Sequence, residues 1–169
     1  MSFKSEISKY KQNKTLIKNV DYTKISKNSG IYIVELINGK NIEIANTTTA
    51  ITEYVKNGKM KNLVYSKSKL MNKLSLCDKE FLYVGKAEAK DGGLNTRISQ
   101  LIGYAYGKCN NHRGGRALWQ IKDWQNILNI YWCEVENAEK IEKHLLQLHS
   151  VEHPNKIKGL SYPFANWRL

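Results

Sequence analysis

The chain has 169 residues, of which 41% are hydrophobic and 25% are charged. That balance excludes a disordered or fibrous chain and is enough to form the core of one globular domain. The formal net charge is +12, which favours a polyanionic partner, with nucleic acid ahead of an acidic membrane surface. Because lysine supplies most of this charge, drift in composition is an alternative explanation for it.

Neither a membrane span nor a secretory leader is expected. No stretch approaches the roughly 18 consecutive apolar residues that cross a bilayer, and the opening residues MSFKSEISKYKQNK contain no apolar signal core. The 3 cysteines, Cys77, Cys109 and Cys133, are widely spaced and form no CxxC pair, so we expect no disulfide framework. These features predict a soluble cytoplasmic protein.

The first part of the chain predicts an arm followed by a hairpin. Residues 1–29 are polar and lysine-rich, which indicates a helical or flexible N-terminal arm. The apolar, β-branched run at 31–37 predicts a buried strand. Asn38-Gly39 then predicts a tight turn, and the alternation at 41–44 predicts a returning strand.

A lysine-rich segment follows. We predict a helix over 47–58, and residues 54–77 contain no acidic residue, with Tyr54 and Tyr65 among the lysines. The segment is either a solvated loop or an arm that lies along a phosphate backbone. In the second interpretation the candidate nucleic-acid contacts are Lys56, Lys59, Lys61, Lys67 and Lys69.

The rest of the chain predicts a small sheet with helices around it, and therefore an α+β fold. Apolar runs indicate the strands, and apolar positions at helical spacing indicate the helices. The expected elements are strands at 81–85 and 128–135, helices at 94–106, 116–124 and 137–150 (the last capped by Asn137), and a tail at 154–169 whose aromatic residues pack back.

Two of these helices carry a charged residue beside their apolar stripe. Glu142 precedes Leu145 by three positions, and Arg97 follows Leu94 by three. A buried carboxylate is costly unless it is paired or ligates a cation, so Glu142 either forms a salt bridge or helps to hold a divalent ion, with Glu139 as the weaker candidate. Arg97 either extends to solvent or clamps a phosphate.

Two tyrosines, Tyr32 and Tyr83, fall within the expected core strands. Buried tyrosines are ordinarily core residues with a hydrogen-bonded hydroxyl. Lys86 follows Tyr83 by three positions, and a nearby cation lowers the pKa of a phenol. More than one positive neighbour would be needed to bring that pKa close to neutrality.

In chain order, these residues resemble the motifs of the GIY-YIG nuclease superfamily. The resemblance lies in Gly30-Ile31-Tyr32, in Tyr83-Val84-Gly85-Lys86-Ala87 with YVG in place of YIG, in Leu94 followed by Arg97, in Glu142 on a helix and in Asn166 near the end. It extends over nearly the whole chain, and the YVGKA stretch is most similar to the excision-repair members of the superfamily.

The resemblance implies a small three-stranded antiparallel sheet flanked by helices. This domain would comprise residues 30–169, with an inserted hairpin or helical segment at about 38–80. It would bind DNA, most simply double-stranded DNA, and could act as a homodimer.

The resemblance also implies an active site. Tyr32 would be the general base for an attacking water, with Tyr83 and Lys86 polarising the site, and Arg97 would stabilise charge on the phosphate. Glu142 would hold a single Mg²⁺ or Mn²⁺ ion, and Asn166 would tie down or polarise the site from the tail.

The chain departs from the family pattern in two places. A long segment separates Tyr32 from Tyr83, where the family usually has a short loop. Leu101 stands four positions after Arg97, where relatives commonly have Tyr or His. Tyr104 or His112 would then substitute, or proton transfer would be weaker.

Other polar residues carry a weaker signal. His112 lies where some homing relatives have a functional His, although a surface loop explains it equally well. Gly114-Gly115 before Arg116 either presents backbone N–H groups and a guanidinium to a phosphate or simply begins a helix, with Trp119 in the core. The histidines without metal-ligand spacing, which we expect at the surface or in packing, are His144, His149 and His153.

The leading hypothesis is a metal-dependent DNA endonuclease. The first alternative is a non-catalytic nucleic-acid-binding module on the same scaffold. The second is a protein–protein adaptor whose basic charge reflects composition alone.

Overall fold

A four-stranded antiparallel sheet, with the strand order β1-β6-β2-β5, organises the molecule. The computed structural model describes residues 1–108, 112 and 114–168. The strands are β1 (Asn13–Leu16), β2 (Gly30–Leu36), β3 (Glu53–Lys56), β4 (Lys59–Asn62), β5 (Phe81–Ala87) and β6 (Leu128–Glu134), and the helices are α1 (Phe3–Ile7), α2 (Lys67–Leu76), α3 (Gly93–Ala105), α4 (Trp124–Ile127) and α5 (Ala138–Glu152).

The strand that contains Tyr32 and the strand that contains Tyr83 are direct neighbours. Tyr32 of β2 lies opposite Gly85 of β5, and Val34 lies opposite Tyr83. Because side chains alternate along a strand, Tyr32 and Tyr83 project from the same face of the sheet. The predictions of an α+β fold and of strands at these positions are confirmed.

Each face of the sheet is covered by helices. On the face that carries Tyr32, helix α3 contributes Leu94, Ile98 and Leu101 to the core. On the opposite face, helix α5 packs Leu145 and Leu146 against the sheet. The apolar stripes predicted for these two helices are therefore the faces that they bury.

The sheet has four strands rather than the three that the resemblance implies. The extra strand β1 comes from the segment predicted to be an arm, and it pairs with β6. Helix α1 of that segment also buries Phe3 and Ile7. The N-terminal residues therefore complete the outer edge of the sheet.

The predicted hairpin partner at 41–44 was wrong. Both edges of β2 are already paired, with β5 on one side and β6 on the other, so a returning strand has no free edge. The segment instead contributes an isolated bridge between Ile44 and Ile121.

The helix predicted over 47–58 was also wrong, because a second Asn-Gly pair forms a turn there. Asn57 and Gly58 adopt positive φ angles of 52° and 71°, as a two-residue hairpin turn requires. This turn joins β3 to β4, with Tyr54 opposite Lys61.

The remaining elements agree with prediction in part. The run at 116–124 is a 3-10 helix, Arg116–Gln120, followed by α4. Asn137 precedes α5, but its side chain makes no capping hydrogen bond. The tail buries Tyr162 and Phe164, as expected, while Cys77 and Cys133 are free and buried; Cys109 lies outside the described residues.

Candidate active site

Two motif glycines are required by close packing at the strand pair. A Cβ atom on Gly85 would lie 2.3 Å from Cζ of Tyr32, so only glycine leaves room for the phenol ring. A Cβ atom on Gly30 would lie 2.5 Å from Cδ1 of Leu94. Gly30 therefore lets the start of α3 approach β2, which places Arg97 beside the tyrosines.

Tyr32, Tyr83 and His112 form a buried cluster on this face. The ring centroids lie 6.0 Å apart for Tyr32 and Tyr83, 6.0 Å for Tyr32 and His112, and 6.1 Å for Tyr83 and His112. The hydroxyl of Tyr32 lies 2.6 Å from Nε2 of His112, a hydrogen-bonding distance. This contact brings together residues that are far apart in the sequence.

The surroundings shift the pKa of every member of the cluster. Burial raises the pKa of Tyr32 to about 12, against the opposing effects of the Arg97 charge and of hydrogen bonding by Tyr83. Burial also raises the pKa of Tyr83 well above its ordinary value. Burial and the Arg97 charge lower the pKa of His112 to about 3, so the imidazole is neutral at pH 7 and its Nε2 can accept a hydrogen bond from the Tyr32 hydroxyl.

Of the two residues considered as substitutes for Leu101, His112 contacts the Tyr32 hydroxyl. Leu101 is fully buried in the core, and the Tyr104 hydroxyl donates to the backbone oxygen of Ile51 at 3.0 Å. The Nδ1 atom of His112 is buried and has no hydrogen-bond partner within the described part of the chain.

The glycine pair before Arg116 lies against the same cluster. A Cβ atom on Gly114 would lie 3.2 Å from the Tyr83 hydroxyl, and one on Gly115 would lie 2.8 Å from Cδ1 of Leu101. The small residues therefore let this loop approach Tyr83 closely. Trp119 is buried, as expected of a core residue.

Arg97 is half-buried on α3 and acts on the cluster through its charge. Its Nη1 atom donates to Oε1 of Gln100 at 2.5 Å. The guanidinium favours the ionised forms of Tyr32 and Glu142 and opposes protonation of His112. It lines a cavity of about 340 Å³ together with Lys86, Glu88, Asp91 and Gln100.

Glu142 extends from α5 toward the edge strand β5. Burial raises the pKa of its carboxyl to about 7, opposed by the charge of Lys86 and supported by that of Glu139. No ion pair of Glu142 is formed within residues 1–108, 112 and 114–168. Glu142 therefore has no salt-bridge partner in the described part of the chain, and the salt-bridge interpretation is not supported.

Glu142 is a candidate carboxylate ligand for a hard divalent ion. The described residues contain no cluster of three or more His, Cys, Asp or Glu side chains suited to a metal. Mg²⁺ commonly takes one or two carboxylates and completes its coordination with water and substrate phosphates. Glu142 fits such an ion because it is half-buried and lines a cavity.

Lys86 lies on the other face of the sheet from the phenols. It pairs with Ile31 in the β2–β5 register, one position out of phase with Tyr32, and its Nζ atom forms an ion pair with Glu139 at 3.0 Å. The expectation that Lys86 polarises the tyrosines directly is not supported by this placement. Its charge acts on Glu142 instead.

Asn166 ties the tail to the strand that carries Tyr83. Its Nδ2 atom donates to the Val84 oxygen at 2.8 Å, and its Oδ1 atom accepts from the Val84 N–H at 2.9 Å. Because β5 is an edge strand, these bonds satisfy backbone groups that would otherwise be open. Asn166 therefore tethers the site rather than facing a phosphate with its side chain.

One large cavity is bordered by Tyr83, Glu142 and Asn166 and by the inserted segment. It has a volume of about 760 Å³ and a mainly basic lining, with Glu142 as its acidic residue. Of the lysines predicted to bind nucleic acid, Lys59 and Lys67 lie outside its lining. The lining residues are Tyr54, Lys56, Lys61, Asn62, Leu63, Tyr65, Lys69, Tyr83, Gly114, Arg116, Glu142, Asn166, Trp167 and Arg168.

An aromatic and cationic wall in this cavity escaped the sequence analysis. The rings of Tyr65 and Trp167 stack with centroids 4.8 Å apart, and the Arg116 guanidinium lies 4.5 Å from the Tyr65 centroid. The ammonium of Lys69 lies 4.8 Å from the Trp167 centroid. These contacts join α2, the tail and the loop after α3.

Lys73 is a second residue that the sequence analysis missed. It is fully buried, its ammonium donates to the backbone oxygen of Asn166, and it lies 4.1 Å from the centroid of Trp167. A signal was present, because Lys73 falls between Leu70 and Leu74 on the apolar face of α2, as Arg97 does on α3.

The late histidines do not form a site. His149 is buried, and its Nε2 atom accepts from the Asp78 N–H at 3.2 Å while its Nδ1 atom lies 2.7 Å from the Ser161 oxygen. His153 stacks on it with centroids 4.4 Å apart, and His144 is exposed. Their predicted role in packing or at the surface is confirmed.

Comparison with known proteins identifies no relative of this chain. Protein-family models, curated proteins and solved structures were all searched, and none matches the chain. Among the described residues, no helix is both long enough and apolar enough to cross a membrane. The proposals below therefore depend on the geometry of the chain itself and on its motif resemblance.

Proposed function

We propose that the protein is a metal-dependent endonuclease that hydrolyses DNA phosphodiester bonds, in the manner of the GIY-YIG nucleases that its motifs resemble. The observation that carries the proposal is the convergence of Tyr32, Tyr83 and His112 with the charges of Arg97 and Glu142. A cluster of strongly shifted titratable groups beside a basic cavity is typical of a catalytic centre.

In this proposal Tyr32 and His112 move the proton of the attacking water. Because the pKa of Tyr32 is about 12, forming a free phenolate at pH 7 would cost about 7 kcal/mol. Tyr32 need not form a free phenolate if it accepts the proton of water while it donates its own proton to Nε2 of His112, 2.6 Å away. Because burial and the Arg97 charge lower the pKa of His112 to about 3 in the free protein, protonating it at pH 7 costs about 5 kcal/mol, a cost that the bound phosphate has to reduce. The water oxygen bonds to phosphorus as the bond to the leaving oxygen breaks.

Arg97 supports both the attack on phosphorus and the proton transfer to His112. A guanidinium stabilises negative charge on the phosphoryl oxygens as it develops. The same charge lowers the pKa of His112 in the free protein. A phosphate bound at Arg97 would offset that charge, which makes His112 a better proton acceptor when substrate is present.

Glu142 is the residue that would hold Mg²⁺ or Mn²⁺, and the bound ion would supply stabilisation of charge on the leaving oxygen. The carboxyl itself competes with protons, because its pKa is about 7. Lys86 favours the ionised form of this carboxyl and so helps to keep it ready to bind a cation.

The test is cleavage of plasmid DNA by the purified protein with Mg²⁺ or Mn²⁺, compared with EDTA. We expect nicking or linearisation that Glu142→Gln abolishes, while Glu136→Gln, the same change at an exposed carboxylate before α5, leaves it intact. No cleavage with either ion across pH 6 to 9, on plasmid or on oligonucleotides, would overturn the enzymatic proposal. Salt-sensitive DNA binding without cleavage would favour the non-catalytic module.

A further inference from the structure

The position of the phenols limits how a phosphate can reach them. Tyr32 and His112 are each 1% exposed and Tyr83 is 5% exposed, so the site lies at the bottom of a recess. Tyr83, Glu142 and Asn166 border the 760 Å³ cavity. A phosphate that enters this cavity therefore comes close to Tyr83 and Glu142, whereas Arg97 lines the smaller cavity of about 340 Å³.

The hairpin β3–β4 forms one wall of the cavity. Its register places Tyr54 opposite Lys61 and Val55 opposite Met60, so alternate side chains belong to opposite faces. Tyr54, Lys56 and Lys61 line the cavity, whereas Val55 and Met60 are 64% and 61% exposed. The hairpin thus presents an aromatic ring and cations to the space above Tyr83.

The tail and α2 form the remaining wall. Trp167 and Arg168 line the cavity together with Tyr65, Lys69 and Arg116. Asn166 anchors this wall to β5, and Lys73 anchors it from below. Both walls therefore combine aromatic rings with cations.

Double-stranded DNA does not suit such a recess. A duplex carries its phosphates on the outside of a stiff rod with a persistence length of about 50 nm, so it presents them to open or grooved surfaces. The cavity volume of about 760 Å³ lies within the range of about 300–1,000 Å³ typical of pockets that enclose small ligands. One strand with unpaired nucleotides fits these dimensions.

The lining also matches a single strand in its chemistry. Non-specific contact with a duplex backbone requires cations, whereas proteins that hold unpaired strands combine a positive groove with aromatic side chains that contact the bases. Here Tyr54, Tyr65 and Trp167 accompany the cations. Tyr65 and Trp167 stack on each other, with Arg116 and Lys69 against their rings, so we assign the base contact to Tyr54. We propose that the strand is unpaired where it enters the site, so that the substrate is single-stranded or branched DNA rather than continuous duplex.

This inference rests on the proposed function where it predicts which DNA is cut. It also predicts, independently of cleavage, that the protein binds a single strand more tightly than a duplex. The direct test uses three labelled DNAs of one sequence: a single strand, a blunt duplex and a duplex with an unpaired flap. With Mg²⁺ and the full-length chain we expect the single strand or the flap to be cut at least tenfold faster than the blunt duplex. Faster or equal cleavage of the blunt duplex would overturn the inference and leave the proposed function standing.

A paired substitution on the hairpin tests the role of the cavity wall. Tyr54→Leu should weaken single-strand binding roughly fivefold or more, the loss expected when one base–aromatic contact is removed. Val55→Ala, one residue away on the exposed face, should leave it unchanged. Equal affinities of the two variants for the single strand would overturn the inference.

Binding by Glu142→Gln in EDTA separates the two proposals. If no DNA is cut by the wild type, the proposed function fails, yet tighter binding of the single strand than of the duplex still supports the unpaired-strand inference. Equal or tighter binding of the duplex overturns that inference whether or not the protein cleaves DNA.

Discussion

The β2–β5 strand pair and the inserted segment contribute to the same cavity in opposite ways. On the strand pair the polar groups are buried, each phenol is tightly enclosed, and a single added Cβ at Gly85 would overlap a ring. On the insert the lysines Lys56 and Lys61 extend into solvent from a two-stranded hairpin. The first region fixes the positions and proton affinities of the phenols, while the second supplies positive charge near them. We therefore expect substitutions in the first region to lower the cleavage rate and substitutions in the second to lower DNA affinity.

The largest effect is expected at Tyr32. Tyr32→Phe keeps the ring that packs against Gly85 and removes only the hydroxyl that contacts His112. We expect cleavage to fall by about 10²–10⁴-fold, the range for loss of a general acid or base, with DNA affinity unchanged. Single-turnover kinetics and a binding titration measure the two quantities, and a fall in affinity that accounts for the lost rate would contradict the assigned role.

The next largest effect is expected at Lys73, which should make the stability of the fold depend on pH. Lys73 belongs to the inserted segment and contacts Asn166, which is bonded to β5. Burial lowers the pKa of Lys73 to about 7, from an ordinary value near 10.5. The unfolded chain therefore binds more protons between pH 7 and 10.5, so the penalty of burying Lys73 is full below pH 7 and disappears as the pH rises toward 10.5. We expect the free energy of unfolding of Lys73→Met, relative to wild type, to decrease by about 3 kcal/mol between pH 7 and 10.

Urea unfolding of both proteins at several pH values measures this difference. The bond from Lys73 to Asn166 adds a stabilisation that the variant loses at every pH, so the change with pH is the diagnostic quantity. Parallel stability curves for the two proteins would show that Lys73 stays protonated in the fold.

A smaller effect is expected at Gly85, which tests the close packing of the strand pair. Gly85→Ala places a methyl group in the space of the Tyr32 ring, and overpacking of this kind costs about 1–3 kcal/mol. The same substitution in a Tyr32→Ala background should cost much less, because the overlapping ring is gone. Additive losses in this double-mutant cycle would contradict the packing argument.

Much of the strand-pair region could be predicted from sequence, because local patterns there coincide with tertiary packing. The stripe containing Leu94 and Ile98 places α3 on the sheet, and the spacing from Leu94 then fixes the position of Arg97. His112 could not be placed in the same way, since its contact with Tyr32 depends on the path of the chain after α3. The sequence left open whether Tyr104 or His112 substitutes for Leu101 or whether proton transfer is weaker.

The insert was predicted poorly for the opposite reason. The chain has Asn-Gly at 38–39 and at 57–58, and both pairs favour a hairpin turn locally. Which one joins two strands depends on whether the preceding strand has a free edge, and β2 has none because β5 and β6 occupy both sides. Tertiary pairing therefore decided between two equal local signals.

The smallest effect belongs to the exposed cations and sharpens the contrast with the buried phenols. For Lys56→Ala combined with Lys61→Ala, we expect DNA affinity to fall while the cleavage rate of bound DNA stays the same. If each lysine contacts one phosphate of an unpaired strand, the slope of log affinity against log salt becomes shallower by about 1.4, because each such contact contributes roughly 0.7. The matched control, Lys24→Ala combined with Lys158→Ala, removes the same charge from exposed positions outside the cavity lining and should leave the slope nearly unchanged. An equal change in both double variants would mean that net charge alone governs binding, in which case the hairpin has no special place in holding the strand.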